Sequence, residues 1–485
     1  MLERSLVEKN EARLRERSEK KALGLFHAAA ERVPAYRAFL KTAKINHTRV
    51  KTIKDFASVP TTDAKNYIAR YPIQDRCWDG NLSGAQLIAT SSGTTGEPKY
   101  WPRSIEQDLE AAVVHRFLYK EYFGADAHST LFLIGFPMGI YISGMATVLP
   151  SWLTSFKNKK MTIMCVGNNK KEMLRAAENL SGEYEQTVLI GHPFFIKDVI
   201  ETGVREGVAW SKKNLGLMFC SEGFTEEWRS YIAERAGIRP GAMRIFNTYG
   251  SSEMLLMGYE TRFSIEIKKR AEKNQTFLSA LTGDVMPPQL FQFNPFFRYI
   301  ESIDRELIFS SASGIPLIKF NLHDRGEVRS FEEVRQTLQT FRFTPVSPIK
   351  RAHPLPFVAL WGRTDQTIKF HGVNIYPEHI EMALMEKPLM RLLTGKFVIR
   401  KFLDRGMDQR WEINIELSQG ARSSAPMARN IQTRIIEKLG KINLEYLDMS
   451  SHIKKDVRPV IKLWPYQDAN YFKQGLKPHY IENKK

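Results

Sequence analysis

The sequence predicts an α/β protein: a large N-terminal domain with parallel-rich sheets and helices, joined by a hinge to a small α/β C-terminal domain. Two observations carry this. Short apolar runs at 161–166, 187–190, 215–220 and 243–246 have strand length, and helical stretches at 170–180, 194–201 and 226–236 lie between them. Strands alternating with helices build parallel sheets, and such sheets hold ligands at the carboxyl ends of their strands. Ser91, His192, Ser221 and Tyr249 all fall at such ends.

The remaining elements follow in order. Residues 1–45 read as helical, with Leu23, Leu25, Phe26, Ala29 and Val33 on one face and an interruption at Pro34. Short elements broken by Pro60 and Pro72 lead to a strand at 85–89, and helical spacing returns at 106–123. Residues 131–153 contain no charge and are long enough to cross a bilayer. Pro137, Pro150, Gly135, Gly139 and Gly144 break that stretch, so a buried strand at 130–136, a turn and a buried helix fit it better than a membrane span. Residues 260–300, with Lys268, Lys269, Arg270 and Lys273 followed by QLFQFNPFFRYIES, are less legible: a surface loop with an aromatic plug is the plain reading, and the region is taken as an insertion of unknown role. Strand signals at 306–309 and 317–320 then lead to Asp324.

Composition narrows the function classes. Of 485 residues, 43% are hydrophobic and 11% aromatic, ordinary values for a globular enzyme of two or three domains. The net charge is +18, which suits an acidic substrate or partner. The basic residues are spread along the chain and match no zinc-finger or RNA-recognition signature, so nucleic acid is not the expected partner. Cys77, Cys165 and Cys220 are far apart and form no C-x-x-C pair, which argues against a zinc site or a disulfide framework and for the cytoplasm. The N-terminal MLERSLVEKNEARLRERSEKK has charges of both signs and no apolar core, so it reads as a solvated helix and not as a targeting segment.

The most informative stretch is 90–99, TSSGTTGEPK. Backbone amides around Gly93 and Gly96 can converge on an anion, the hydroxyls of Ser91, Ser92, Thr94 and Thr95 add donors, and Lys99 adds charge. The spacing is not that of a Walker loop, and the chain has no G-x-S-x-G nucleophile elbow. Ser/Thr/Gly runs in general are flexible polar loops. Here three further stretches follow in order: NTYGSSEM (247–254), IKFNLHDRGEV (318–328) and WGRTDQTIKFHGVNIYPEHIE (361–381). Together the four resemble the phosphate loop, adenine and magnesium motif, ribose segment and hinge of the adenylate-forming superfamily. GVNIYPEHIE, with ERVPAYRAFL near the start and SEGFTEEWR before the adenine motif, is most similar to its phenylacetate-CoA ligase branch.

The resemblance implies ATP, Mg²⁺ and coenzyme A as co-substrates and cofactor, and a small carboxylic acid as substrate. It implies that the 91–99 loop holds the ATP phosphates. Tyr249 stacks on adenine, and Ser221, Glu222, Gly223, Asn247, Gly250 and Ser251 line the nucleotide pocket. Glu253 binds Mg²⁺, a hard cation that bridges phosphate oxygens; without its flanking motif it would read as a surface residue. Asp324 accepts from the ribose diol and Arg363 donates to the same sugar, although Asp324 alone could be a turn aspartate before Gly326. The family usually carries arginine-threonine-glycine before this aspartate, whereas Asn321, Leu322 and His323 stand here.

By the same resemblance Phe136, Tyr141 and His192 lie by the acyl pocket and Asp365 is the pivot between residues 1–363 and the mobile 364–485. Lys369 and Gly372 face the site only after rotation, with Gly372 leaving room for a pantetheine arm. Lys477 in QGLKPHYIENKK is the nearest match to the family's catalytic lysine. From Gln366 onward the chain holds 21 Lys plus Arg against 13 Asp plus Glu, a balance of +8 that suits coenzyme A or an acidic acyl carrier protein. The expected activity is carboxylate-CoA ligation. Transfer to an amine or acyl carrier protein, and a silent nucleotide-binding regulator, are the alternatives. A homodimer is compatible with the sequence.

Overall fold

A computed structural model describes residues 10–91, 99–138, 142–345, 353–363, 368–370, 373–404, 409–443, 446–447, 450, 457–472 and 481–482. The chain divides into two compact units. The first comprises Met1–Gly191, Lys213–Ser221 and Met243–Trp361, and the second His192–Lys212, Glu222–Ala242 and Gly362–Lys485. The second unit therefore takes in two segments, 192–212 and 222–242, that the division at the hinge assigned to the N-terminal domain.

The first unit is built on a twelve-stranded mixed sheet and a hairpin. In chain order its strands are β1 (Thr62–Asp63), the hairpin β2 (Leu87–Ser91) and β3 (Lys99–Arg103), then β4 (Thr130–Ile134), β5 (Met161–Cys165), β6 (Gln186–Gly191), β7 (Leu215–Cys220) and β8 (Ile245–Ser251). They continue with β9 (Leu255–Tyr259), β10 (Gln289–Gln292), β11 (Tyr299–Ile303), β12 (Glu306–Ser311), β13 (Leu317–Arg329) and β14 (Phe357–Arg363). The sheet order is β11-β12-β13-β14-β10-β9-β8-β7-β6-β4-β5, with β1 beside β13. The β5-β4-β6-β7-β8 half is parallel. Its inner strands are buried throughout, which is why β4 and β6 read as uninterrupted apolar runs.

The N-terminal helical stretch forms helices Glu11–Arg32 and Pro34–Thr42, broken where Pro34 was expected to interrupt it. Pro34 opens the second of them, where its fixed φ suits a first turn and its missing N–H is no loss. The uncharged stretch forms β4 and the helix Ile142–Ser155, and among the described residues no helix is long and apolar enough to cross a membrane.

Residues 260–300 correct the expectation of a surface loop. They form helices Arg262–Lys273 and Gln275–Thr282 and strands β10 and β11, and β10 lies inside the sheet between β9 and β14. Lys268 is buried, with Nζ 2.9 Å from Gln289 Oε1 and 3.8 Å from the Glu260 carboxylate. The misreading has a physical reason: polar and charged side chains here satisfy one another inside the fold, so charge does not mark the surface.

The second unit carries the sheet β19-β18-β17-β20, made of β17 (Leu393–Leu403), β18 (Gln409–Leu417), β19 (Val460–Trp464) and β20 (Ile481–Glu482), and the hairpin of β15 (Ile368–Phe370) and β16 (Val373–Ile375). Phe370, Phe397, Trp411, Ile413, Ile415 and Ile431 form its core. On β18, Trp411, Ile413 and Ile415 alternate with buried Glu412, Asn414 and Glu416, whose partners include Lys462 Nζ at 2.7 Å, Trp464 Nε1 at 2.7 Å and Thr394 Oγ1 at 2.7 Å. The helix Pro193–Arg205 belongs here because its side chains are tied to this sheet. Lys197 Nζ donates to the Leu393 carbonyl at the start of β17, and Tyr466 donates to Asp198.

Burial pushes the Lys197 ammonium from its ordinary 10.5 down to about 8, against the raising effect of nearby Glu201 and Asp198. Since the folded value lies below the unfolded one, the protonated side chain opposes folding. That burden is full below pH 8 and is lifted as pH rises toward 10.5. Calorimetric unfolding of the second unit should therefore show stability rising over this window by a Lys197 contribution on the order of 3 kcal/mol. Lys197→Met should remove that rise.

Candidate active site

Of the expected nucleotide residues of the first unit, Ser221, Tyr249, Gly250 and Ser251 lie at the carboxyl ends of β7 and β8, Ser91 and Lys99 in the β2–β3 hairpin, and Asp324 within β13. In the hairpin, Ser91 and Lys99 are directly paired, so the two ends of the glycine-rich stretch are held side by side. Lys99 is half-buried. Ser92, Gly93, Thr94, Thr95 and Gly96 lie outside the described residues. Ser221 closes β7 with φ of 80°, a left-handed conformation that turns the chain out of the sheet. Cys220 pairs with Thr248, so Ser221 and Tyr249 follow on neighbouring strands.

Tyr249 lies on β8, and its hydroxyl donates to the Asp324 carboxylate on β13, 75 residues away. Both side chains are buried, 8% and 7% exposed. The tyrosine ring stacks on Phe291 of β10, with centroids 5.6 Å apart and planes at 19°. The Glu260 carboxylate accepts the backbone N–H of Asn247 at 2.7 Å, and the Asn247 carbonyl accepts from Glu260 N at 2.9 Å. A bulge separates Tyr249 from Gly250. A Cβ on Gly250 would stand 2.8 Å from the Leu255 carbonyl oxygen, so glycine is required for the tight return into β9. Ser251 Oγ accepts from Met254 N at 3.2 Å and braces that turn, which carries the half-buried Glu253.

His323 adopts φ of 60° immediately before Asp324. For a side chain this size the left-handed region costs roughly 1–2 kcal/mol. A clasp of polar contacts holds it: His323 N donates to Asn321 Oδ1 at 2.7 Å, Asn321 Nδ2 donates to Glu306 Oε2 at 2.6 Å, and His323 Nδ1 lies 3.4 Å from Glu306 Oε1. His323 Nε2 lies 3.9 Å from an Asp63 oxygen on the other side.

The other expected site residues are distributed as follows. Phe136 follows β4 and is fully buried in the core with Phe132 and Ile190. Arg363 ends β14, and Lys369 pairs with Asn374 in the β15–β16 hairpin; their side chains lie outside the description. His192 precedes the helix Pro193–Arg205, and Glu222 and Gly223 open another segment of the second unit. Tyr141, Asp365, Gly372 and Lys477 lie outside the described residues. Sequence reasoning missed Phe291, Glu260 and the Asn321–Glu306 clasp. Glu260 left a signal, as a lone acid closing the apolar run LLMGY.

The comparisons with known proteins bear on this arrangement. No protein-family model matches the chain. It is similar to a phenylacetate-coenzyme A ligase of Aromatoleum evansii, 21% identical over 81% of this chain and 80% of that one. It is also similar to one of Pseudomonas putida, 20% identical over 88% and 86%. Among solved structures, a 2-hydroxyisobutyryl-CoA ligase in the postadenylation state superposes with a TM-score of 0.65 at 16% identity, over 96% of this chain and 89% of that one. By sequence the chain is similar to phenylacetate-coenzyme A ligases, and its fold is that of the 2-hydroxyisobutyryl-CoA ligase. An acyl acid amido synthetase in complex with 2,4-DB shares the fold with a TM-score of 0.57 at 14% identity, over 94% and 87%.

The motif resemblance gives the conformation of His323 its meaning. Adenylate-forming enzymes usually carry glycine before the ribose aspartate, and here histidine takes the left-handed backbone that suits glycine. The altered wording therefore keeps a glycine-like backbone beside the acceptor.

Binding of AMP, followed by calorimetry, should separate these contributions. Asp324→Ala should weaken it by about 10- to 100-fold, the range for losing a hydrogen bond to a charged group. Tyr249→Phe should have a smaller effect, and His323→Gly should stay within a few-fold of the parent because glycine takes φ of 60° without strain. Full affinity in Asp324→Ala would remove the ribose assignment.

Proposed function

We propose that this protein activates a carboxylic acid with ATP to an acyl-adenylate and passes the acyl group to coenzyme A, as an AMP-forming carboxylate-CoA ligase. The observation that carries the reading is the hydrogen bond between Tyr249 and Asp324, which joins the adenine motif to the ribose motif in one buried place. That contact supports reading the motifs as parts of one site. The ligases it resembles are phenylacetate-coenzyme A and 2-hydroxyisobutyryl-CoA ligases, which supports a small aryl or acyl acid and coenzyme A as acceptor. Transfer to an amine or acyl carrier protein is not favoured by these relatives, nor is a silent regulator.

In the first step an acid oxygen attacks the α-phosphorus and pyrophosphate leaves, so anionic groups must be brought together with their charge neutralised. Lys99 and the backbone of the 91–99 hairpin would hold the departing phosphates, Asp324 the ribose, and Tyr249 the base. Glu253 would supply a carboxylate to a magnesium ion, a hard cation that takes oxygen ligands; among the described residues no three His, Cys, Asp or Glu side chains gather into a cage. When bound, that ion would neutralise phosphate charge. Asp365 would then be the pivot for the second step, with Lys369 and Gly372 turned toward the site as the thiol attacks the acyl carbon and AMP leaves. The basic C-terminal region would attract coenzyme A phosphates or, in the carrier-protein alternative, an acidic partner. Demand for ATP and coenzyme A, and three free cysteines, support a cytoplasmic setting for the reaction. Assembly as a homodimer is compatible with this reading.

The two half-reactions provide the test. An ammonium near the developing phosphate charge is worth on the order of 30-fold in rate, so Lys477→Ala should slow acyl-adenylate formation by about that factor. The readout of that step is acyl-adenylate with pyrophosphate, since AMP leaves only in the second, and transfer from preformed acyl-adenylate should stay nearly intact. Asp365→Pro, which restricts φ at the pivot, should do the reverse. Equal loss of both half-reactions in two folded variants, or loss of neither, would contradict a two-orientation ligase.

A further inference from the structure

The helix Ile142–Ser155 ends in a feature that the proposed chemistry does not use. Trp152 is 52% exposed and Phe156, just past the helix end, is 64% exposed. Four residues apart, they share one side of the chain, and their rings pack against each other with centroids 4.8 Å apart at 56°. Large apolar side chains this exposed are not placed for stability. The helix that packs alongside, Ile105–Phe123, exposes two more, Ile105 at 40% and Leu109 at 41%. The two helices are joined where Thr154 Oγ1 donates to the Ala112 carbonyl at 3.0 Å.

The chain that follows the two rings carries charge of one sign, although the neighbouring helix exposes Glu106 between Ile105 and Leu109. Between Asp126 and Glu172 the sequence contains no acidic residue and five lysines, Lys157, Lys159, Lys160, Lys170 and Lys171. Three of them follow Phe156 directly and are exposed. They lead into β5, the terminal strand of the large sheet, and Lys170 and Lys171 begin the helix that follows it.

We propose that this corner of the first unit docks on an anionic lipid surface, with Trp152 and Phe156 entering the headgroup layer and the lysines lying against lipid phosphates. Aromatic rings next to clustered lysines are the combination that holds peripheral proteins at such surfaces, each element being weak alone. A second copy of the chain is the poorer occupant, since an isologous contact would set the same lysines against one another. Single-stranded nucleic acid is also poorer, because the two rings cover each other where stacking on a base needs an open face. The consequence is access to acids that partition into membranes. The inference stands on the exposed pair and the charge, independently of the ligase reading.

Co-sedimentation of the full chain with vesicles tests it. Binding is expected to vesicles of phosphatidylcholine mixed with phosphatidylglycerol, to fall with added salt, and to be absent on phosphatidylcholine alone. Trp152→Ser with Phe156→Ser should weaken binding at least tenfold. Lys157→Gln, Lys159→Gln and Lys160→Gln together should weaken it on the order of 100-fold. Melting temperatures should be nearly unchanged, because the substituted side chains are exposed. No binding to the mixed vesicles, or equal binding by either variant, would overturn the proposal. So would conversion of a dimer to a monomer by the aromatic variant, or displacement of the chain from vesicles by single-stranded RNA that the lysine variant no longer binds.

Discussion

The hydrogen bond from Tyr249 to Asp324 is the contact on which the rest of the site depends. It links the last parallel strand of the sheet, β8, to the antiparallel half that carries β13. The order of the sheet puts β9, β10 and β14 between them, so the contact spans the sheet instead of following a strand pair. Phe291 on β10 fills the space beneath the tyrosine ring and makes this reach possible. A buried phenol and a buried carboxylate would each lose solvation without a partner, and here each supplies what the other lacks.

The same economy governs the backbone around the site. Gly250 permits the tight return that directs Tyr249, and His323 accepts a strained conformation because Asn321 and Glu306 hold it there. Strain that surrounding polar contacts over-determine is a common property of ligand-binding positions. The backbone that aims Asp324 is therefore preserved although its residues differ from the family wording.

How much of this was legible in the sequence varied by region. The parallel half was plain, because β4, β6 and β7 are buried on both faces and leave continuous apolar runs between helices. The antiparallel half was not. β10 is only four residues long, and β13 opens with the apolar run read at 317–320 but then alternates buried and half-buried positions, so its full length did not show. Charge was misleading at Lys268, which is buried beside Glu260. The membership of helix Pro193–Arg205 in the second unit depends on Lys197 and Asp198 finding partners on distant residues, and no local pattern encodes that. The Tyr249 and Asp324 assignments came from motif wording, while their mutual contact and the support of Phe291 came only from the fold.

The central claim is that this site joins an acid to AMP. Acid-dependent exchange of pyrophosphate into ATP, run over a panel of aryl and fatty acids, tests it most directly because it reads the first half-reaction without requiring any thiol. The account predicts exchange that appears only with a cognate acid and disappears in Asp324→Ala. Exchange absent with every acid, from a folded chain that binds ATP, would contradict it and leave a nucleotide-binding protein without ligase chemistry.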